Sequence, residues 1–167
     1  GIIVAVQELA KHHFREEDDV LIYDVPGDVV CGGFAAPVRE RYANEVYIVT
    51  SGEYLALYAA NNIARGMANL NVTIGGIICN SRNVANEVEA VRKFAERIGS
   101  KLIGTIPRSR VVQECENQGR TVIECAPTDP QADAYRRLGR AILDNRDLVV
   151  PSPMGPEDIR EMLREMQ

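Results

Sequence analysis

Short, nearly continuous apolar runs alternate with segments of helical periodicity along this chain of 167 residues. The apolar runs occupy residues 20–23, 46–49, 74–79 and 101–106. Runs of this kind are typical of parallel strands whose two faces are both covered by helices. The alternation therefore predicts βαβ units and an α/β fold with a doubly wound, mostly parallel sheet.

Capping patterns predict where several helices begin and end. Thr50 and Glu53 have the spacing of a capping box, which predicts a helix over residues 54–67. An Asp-Pro pair predicts the start of another helix, over residues 130–144. Gly99 has the position of a C-terminal glycine cap, and the apolar stripe of the helix before it comprises Val88, Val91, Ala95 and Ile98.

The end of the chain differs from the part before it. Residues 1–150 read as one α/β unit, with a helical pattern over residues 2–13 and a strand-like run at 121–123. Residues 151–167 are predicted to form a proline-rich linker and a C-terminal amphipathic helix. The apolar stripe of that helix, which must pack on this chain or on a partner, comprises Ile159, Met162, Leu163 and Met166.

Charge and cysteine content exclude several classes of protein. Nineteen basic and 24 acidic residues give a net charge of −5, which argues against general nucleic-acid binding. No run of about 18 apolar residues occurs, so no membrane span is predicted. The four cysteines include no C-x-x-C pair, and no disulfide framework is expected. A cytoplasmic location is the resulting expectation.

The strongest chemical signal lies between Asp24 and Ala35. Asp24 follows an apolar run as a Walker-B aspartate does, where a carboxylate can hold Mg²⁺; capping of a turn is the alternative. Cys31 is followed by Gly32 and Gly33, which leave the backbone open to close approach. Burial as a small apolar residue, nucleophilic reactivity, and ligation of a 4Fe-4S cluster shared by two chains are the interpretations left open.

Several segments together resemble the nitrogenase iron protein family. Residues 24–35 resemble its switch segment, and the likeness extends over essentially the whole chain. The other matching segments are residues 47–53, 58–63, 75–82, 121–124 and 131–136. The resemblance implies a P-loop NTPase-like fold, here lacking its N-terminal P-loop unit, that works as a homodimer with MgATP and one 4Fe-4S cluster shared between two subunits.

The resemblance also implies roles for single residues. Asp24 matches the Walker-B aspartate and Asp28 a second switch aspartate near the γ-phosphate, so both are candidate catalytic residues. Cys31 matches one of the two cluster ligands, and Arg39 and Glu40 match the docking surface beside the cluster. Seven positions match residues around adenine and ribose: Asn80, Pro107, Val112, Gln113, Glu116, Gln131 and Tyr135.

Two departures and several missing features qualify the match. Ser109 stands where many members have Asp near the nucleotide, and Tyr42 stands where many nitrogenase versions have Lys. The family's phosphate loop, its lysine, the first switch aspartate and the other cluster cysteine match positions before Gly1. Residues 1–150 are therefore interpreted as the C-terminal part of a nucleotide-binding domain, which alone is expected to lack ATPase activity and a complete cluster.

The resemblance implies an ATP-dependent oxidoreductase that passes electrons from the shared cluster to a partner enzyme. Expected partners are a second copy of the chain, a larger catalytic reductase component such as a nitrogenase-type heterotetramer, and ferredoxin or flavodoxin as electron donor. The alternatives are a nitrogenase-like reductase of nickel-tetrapyrrole or protochlorophyllide biosynthesis, a non-redox partitioning-type ATPase, and an inactive binding fragment. Cys31 argues against the non-redox ATPase, and Cys79, Cys115 and Cys125 are interpreted as structural.

Overall fold

The computed structural model describes residues 20–25 and 43–166 and contains a parallel sheet. Three strands, β1 (Tyr47–Thr50), β2 (Gly76–Asn80) and β3 (Leu102–Ile106), lie in the order β1-β2-β3. Each neighbouring pair is parallel. The strands predicted from three of the apolar runs are therefore confirmed, and so is the α/β class.

Helices connect and flank these strands. The connections follow the βαβ pattern, in which a helix returns the chain to the start of the next parallel strand. The helices are α1 (Tyr54–Asn69), α2 (Glu87–Arg97), α3 (Arg110–Glu116), α4 (Val122–Cys125), α5 (Pro130–Asp144) and α6 (Pro156–Arg164).

The two faces of the sheet are covered by different helices. Helices α1, α2 and α6 pack on the face that carries Ile48 and Ile77 and form what we call the main core. Its largest fully buried side chains include Leu57, Phe94, Ile98, Ile159 and Met162. Helix α5 covers β3 from the opposite face so closely that a Cβ at Gly104 would lie 2.8 Å from Leu138 Cδ1. Helices on both faces make the sheet doubly wound.

The C-terminal segment packs on this chain. Ile159 and Met162 of α6 are fully buried against α1 and α2, which identifies the surface that the amphipathic stripe covers. The side chain of Asn61 fixes the segment before α6, because its Nδ2 donates to the Met154 carbonyl at 2.8 Å and its Oδ1 accepts from the Met154 N–H at 2.8 Å. Val149 also forms an antiparallel bridge with Ile74.

Two predicted helix ends are confirmed by their caps. Asp129 caps α5, with its carboxylate accepting from the N–H of Gln131 at 2.8 Å, and Pro130 occupies the first turn. Gly99 follows α2 in the left-handed region, with φ = 78°. Val91, Ala95 and Ile98 of the predicted stripe are buried, whereas Val88 at the start of α2 is exposed.

The capping box predicted at residues 50–53 is wrong, although helix α1 begins where it was expected. Glu53 occupies the N-cap position without a side-chain capping bond. Its carboxylate instead accepts from Ser51 Oγ at 3.3 Å, and the N–H of Gly52 donates to Glu87. The Glu87 carboxylate therefore holds the loop before α1, while the N-terminus of α1 has no side-chain cap.

The strand-like run at residues 121–123 is helical instead. Thr121 and Glu124 form a reciprocal capping box that starts the short helix α4, in which Val122 is buried. The two hydrogen bonds of that box stabilise a helical turn within four residues, whereas a strand would need a partner strand. The local polar pairing therefore outweighs the β-branched character of this run.

The strand expected at residues 20–23 is also wrong. Residues 20–25 have no regular secondary structure, and Ile22 is 83% exposed. An apolar run becomes a strand only by pairing with a sheet edge, and within the described residues it pairs with none. The helix predicted over residues 2–13 lies outside the described part of the chain.

Candidate functional site

The three strands end at one edge of the sheet. Because β1, β2 and β3 are parallel, their last residues Thr50, Asn80 and Ile106 lie along this edge. The loops that follow lead into α1, α2 and α3. Ligands of open α/β sheets bind in the crevice outside the carboxyl ends of the strands, so this edge is the candidate site.

Backbone pairing and one buried amide bring three predicted site residues together. Asn80 is opposite Ile106 in the β2–β3 register, which places it beside the start of the loop at Pro107. The Nε2 group of Gln131 donates to the Pro107 carbonyl at 3.0 Å, and Gln131 is buried. The exposed side of Asn80 therefore borders a loop that α5 holds in place.

A small group of side chains lies beneath the next predicted residues. Cys115, Val122 and Ala132 are buried together and form what we call the second cluster. Val112 of α3 and Tyr135 of α5 pack against it. Gln113 and Glu116 lie on the same helix α3 but are exposed, with their polar ends free to meet a ligand. The structure thus joins Val112 to Tyr135 through the second cluster.

The remaining predicted site residues are not part of this arrangement. Cys31, Asp28, Arg39 and Glu40 lie outside the described residues. Asp24 is described, but it is exposed and follows a segment without a strand, so the strand-end position expected for it is not seen. Its interpretation as a Walker-B aspartate stays a prediction.

Glu87 is an organising residue of this edge that the sequence patterns did not reveal. It begins α2, is only 4% exposed, and holds the β1–α1 and β2–α2 loops together. Its carboxylate accepts from Ser81 Oγ at 2.6 Å and from the backbone N–H groups of Arg82 at 2.9 Å, Asn83 at 3.1 Å and Gly52 at 3.2 Å.

These donors determine the charge state of Glu87. Burial alone raises the pKa of Glu87, but hydrogen bonds from Ser81 and from the backbone of Arg82 and Gly52 outweigh it, and the pKa is lowered. The carboxylate is therefore ionised at neutral pH. The approach is close, since a Cβ at Gly52 would lie 2.8 Å from Glu87 Cα. The sequence signals available were Gly52 and an acidic residue in the first turn of a helix.

Two of the three described cysteines, Cys79 and Cys115, are buried thiols. Cys79 ends a buried strand, and its pKa is raised to about 11 by burial and by the charge of Glu87. Cys115 is also buried, and burial together with a hydrogen bond to Cys125 raises its pKa to about 11. Metal ligation needs the thiolate, so these pKa values disfavour it. The described residues contain no group of three or more potential metal ligands.

No helix within residues 20–25 and 43–166 is long and apolar enough to cross a lipid bilayer. The architecture is a parallel sheet flanked by helices, and its fold has a counterpart among solved structures. The chain is similar to the crystal structure of the cell division ATPase MinD from Pyrococcus furiosus, with a TM-score of 0.66 and 17% identity. The likeness covers 85% of this chain and 56% of that one, and at this identity it shows the fold alone.

Sequence comparison identifies the family. Residues 1–167 match the family described as 4Fe-4S iron sulfur cluster binding proteins, NifH/frxC family, and the chain belongs to it. It is 56% identical over its full length to nitrogenase iron protein 2 of Methanothermobacter thermautotrophicus and 54% identical to that of Methanobacterium ivanovii. With nitrogenase iron protein 2 of Rhodobacter capsulatus it shares 47% identity over 98% of its length. The chain spans 63%, 64% and 61% of these three relatives, respectively.

Proposed function

We propose that this chain is part of an ATP-dependent reductase component that donates electrons to a partner enzyme. The observation that carries this proposal is the family match over all 167 residues, together with identities above 50% to two proteins named nitrogenase iron protein. The candidate edge supports it, because it gathers exposed polar groups outside the carboxyl ends of parallel strands.

The nucleotide half of the proposal rests on the edge and on α3. Asn80 and Pro107 would border the base, and the amide of Gln113 and carboxylate of Glu116 are exposed acceptors and donors suited to ribose and adenine. Gln131 would position the loop at Pro107 through the hydrogen bond from its Nε2 to the Pro107 carbonyl at 3.0 Å. Val112 and Tyr135 would supply the apolar side of this site. When bound, MgATP supplies a triphosphate whose hydrolysis drives the change between two conformations.

The redox half of the proposal rests on Cys31. Its thiolate would be one of two that each subunit supplies to a shared 4Fe-4S cluster, which makes the working form a homodimer. The buried, protonated thiols Cys79 and Cys115 do not fit this role. When bound, the cluster supplies one-electron transfer.

The switch segment would couple the two halves. Asp24 and Asp28 would serve the nucleotide phosphates and Mg²⁺, and only seven positions separate Asp24 from Cys31. A shift at one end of so short a segment reaches the other end. Arg39 and Glu40 would rim the docking surface for a larger catalytic component of the nitrogenase type, and ferredoxin or flavodoxin would return electrons.

Replacement of Cys31 by Ser tests the redox half in a full-length protein that contains this chain. A serine hydroxyl is a much poorer iron ligand than a thiolate, so Cys31→Ser should lose the brown 4Fe-4S chromophore. Cys125→Ala is the matched control and should keep it. Iron content and visible absorbance after anaerobic reconstitution provide the measurement. A full cluster in Cys31→Ser would contradict the assignment of Cys31 as a cluster ligand.

A further inference from the structure

Cys115 and Cys125 form a thiol pair although ten positions separate them along the chain. Both are free thiols, and Cys125 packs against the second cluster that contains Cys115. The two thiols interact, and this interaction adds to the effect of burial in raising the pKa of Cys115. Cys115 is fully buried, whereas Cys125 is partly exposed, so the pair has one inner and one outer sulfur.

We propose that Cys115 and Cys125 are a redox-active dithiol, which small disulfides convert to an intramolecular disulfide that closes the turn between α3 and α4. Two thiols packed in one small cluster, one of them accessible, meet the two requirements of such a site, which are entry for the oxidant and a resolving thiol within reach. The role is distinct from iron ligation and uses neither Cys31 nor the candidate edge.

The backbone between the two cysteines holds them together before any oxidation. The carbonyl of Cys115 accepts from the N–H groups of Gln118 at 2.9 Å and Arg120 at 3.1 Å. Gly119 adopts φ = 65°, which lets the chain reverse direction there. The Arg120 guanidinium donates to the Glu124 carbonyl at 2.6 Å and so ties the turn to α4. The turn is thus fixed at both ends by hydrogen bonds.

The reaction is a pair of thiol–disulfide exchanges. The Cys125 thiolate attacks one sulfur of a small disulfide RSSR, forms the mixed disulfide Cys125–S–S–R and expels RS⁻. The Cys115 thiolate then attacks the Cys125 sulfur, forms the protein disulfide and expels a second RS⁻. Two protein thiols are oxidised, RSSR is reduced to two RSH, and the two thiol protons pass to the two leaving thiolates.

The second exchange limits the rate at neutral pH. In the reduced pair the pKa of Cys115 is raised to about 11, chiefly by burial, and Cys115 stays buried when Cys125 carries the mixed disulfide, so little Cys115 thiolate is present at neutral pH. The closure rate should rise about tenfold per pH unit below that pKa. A dithiol of this kind responds to sustained oxidation rather than to brief exposure.

The disulfide has a consequence that rests on the proposed nucleotide site. Val112 and Tyr135, two of the residues expected around the nucleotide, pack against the second cluster. A covalent bond at Cys115 would act directly on the helix that carries Val112, Gln113 and Glu116. We therefore expect oxidation to change nucleotide affinity at least fivefold.

The test exposes the full-length protein to oxidised glutathione without oxygen, traps free thiols with N-ethylmaleimide and maps the peptides by mass spectrometry. The expected product is a peptide pair linked through Cys115 and Cys125, two hydrogens lighter than the reduced pair, with Cys79 still trapped as the free thiol. Cys115→Ala should stop at the glutathione adduct of Cys125. Free thiols at both positions, or a stable adduct on Cys125 in the wild type, would overturn the proposal.

A separate titration distinguishes the dithiol from the proposed function. MgADP affinity is measured before and after oxidation in the wild type and in Cys125→Ala. A change in the wild type alone supports the link to the nucleotide site. A linked peptide with unchanged affinity overturns that link and leaves the dithiol established. Absence of MgADP binding in the reduced protein counts against the proposed function, while the peptide map still decides the dithiol.

Discussion

The main core and the second cluster are built from different side chains and hold different parts of the chain. The main core buries large residues such as Leu57, Phe94 and Ile159 completely and spans the sheet, α1, α2 and α6. The second cluster buries only Cys115, Val122 and Ala132. The residues expected around the nucleotide lie next to the second cluster. The predicted ligand site therefore lies on the more lightly packed part of the fold.

Such a division has a physical basis. Burial of apolar area provides most of the free energy of folding, so the main core determines whether the chain folds. A few small buried side chains give α3 and α4 less local stability, and segments of low local stability are those that move when ligands bind. Polar contacts rather than packing then set the geometry of the edge, with Glu87 as the principal example.

The largest expected effect compares truncations in the two regions. Phe94→Ala should lower the free energy of unfolding by about 3–5 kcal/mol, because it leaves a cavity among fully buried neighbours. Val122→Ala removes two methyl groups at the edge of a small cluster and should cost about 1–2 kcal/mol. Urea denaturation of both variants measures the difference. Equal costs would remove the distinction between the regions.

The next effect concerns the attachment of the C-terminal segment. Asn61→Ala removes both hydrogen bonds to Met154 and leaves a buried N–H without its partner, which should cost about 2 kcal/mol. Asn62→Ala, one position along the same helix, is the matched control. Hydrogen exchange should show faster opening of α6 in the first variant and no change in the second. Unchanged exchange in α6 would mean that its apolar stripe alone holds it.

A smaller effect, with a characteristic pH dependence, is expected at Glu87. Glu87→Gln should destabilise the protein by about 1–2 kcal/mol at pH 7, since one acceptor oxygen is replaced by an NH₂ group facing N–H donors. The folded-state pKa lies below the ordinary 4.5, so the carboxylate's contribution is present above that value and is lost as pH falls through the folded-state pKa. The gap between wild type and variant, measured by denaturation, should therefore narrow below pH 4.5. A gap independent of pH would show that ionised Glu87 is not the stabilising form.

Features coded by neighbouring residues could be predicted from the sequence. The strands at residues 46–49, 74–79 and 101–106 follow from continuous apolar runs, and the start of α5 follows from Asp129 and Pro130. The strand predicted at residues 20–23 is wrong because a strand depends on its partner strand, about which a local pattern holds no information. The strand predicted at residues 121–123 is wrong because the capping box that starts a helix there depends on Glu124, which lies outside the apolar run.

Features that depend on contacts between residues far apart in the chain could not be predicted from local sequence patterns. Glu87 meets Gly52 across 35 positions, and no capping box forms beside this contact. Cys125 packs against the cluster that contains Cys115 because the intervening turn folds back. The residues expected around the nucleotide were predicted from the family resemblance. The contacts within that set, which join Pro107 to Gln131 and Val112 to Tyr135, are known only from the structure.

Helix α3 is proposed to bind the nucleotide, and the exposed face of this helix allows a direct test. Gln113→Ala combined with Glu116→Ala in the full-length protein should weaken MgADP binding about tenfold, because each side chain would lose one hydrogen bond. Glu114→Ala changes another exposed residue of the same helix and should leave affinity unchanged. Isothermal titration calorimetry measures both. Wild-type affinity in the double variant, or an equal loss of affinity in Glu114→Ala, would contradict nucleotide binding by Gln113 and Glu116.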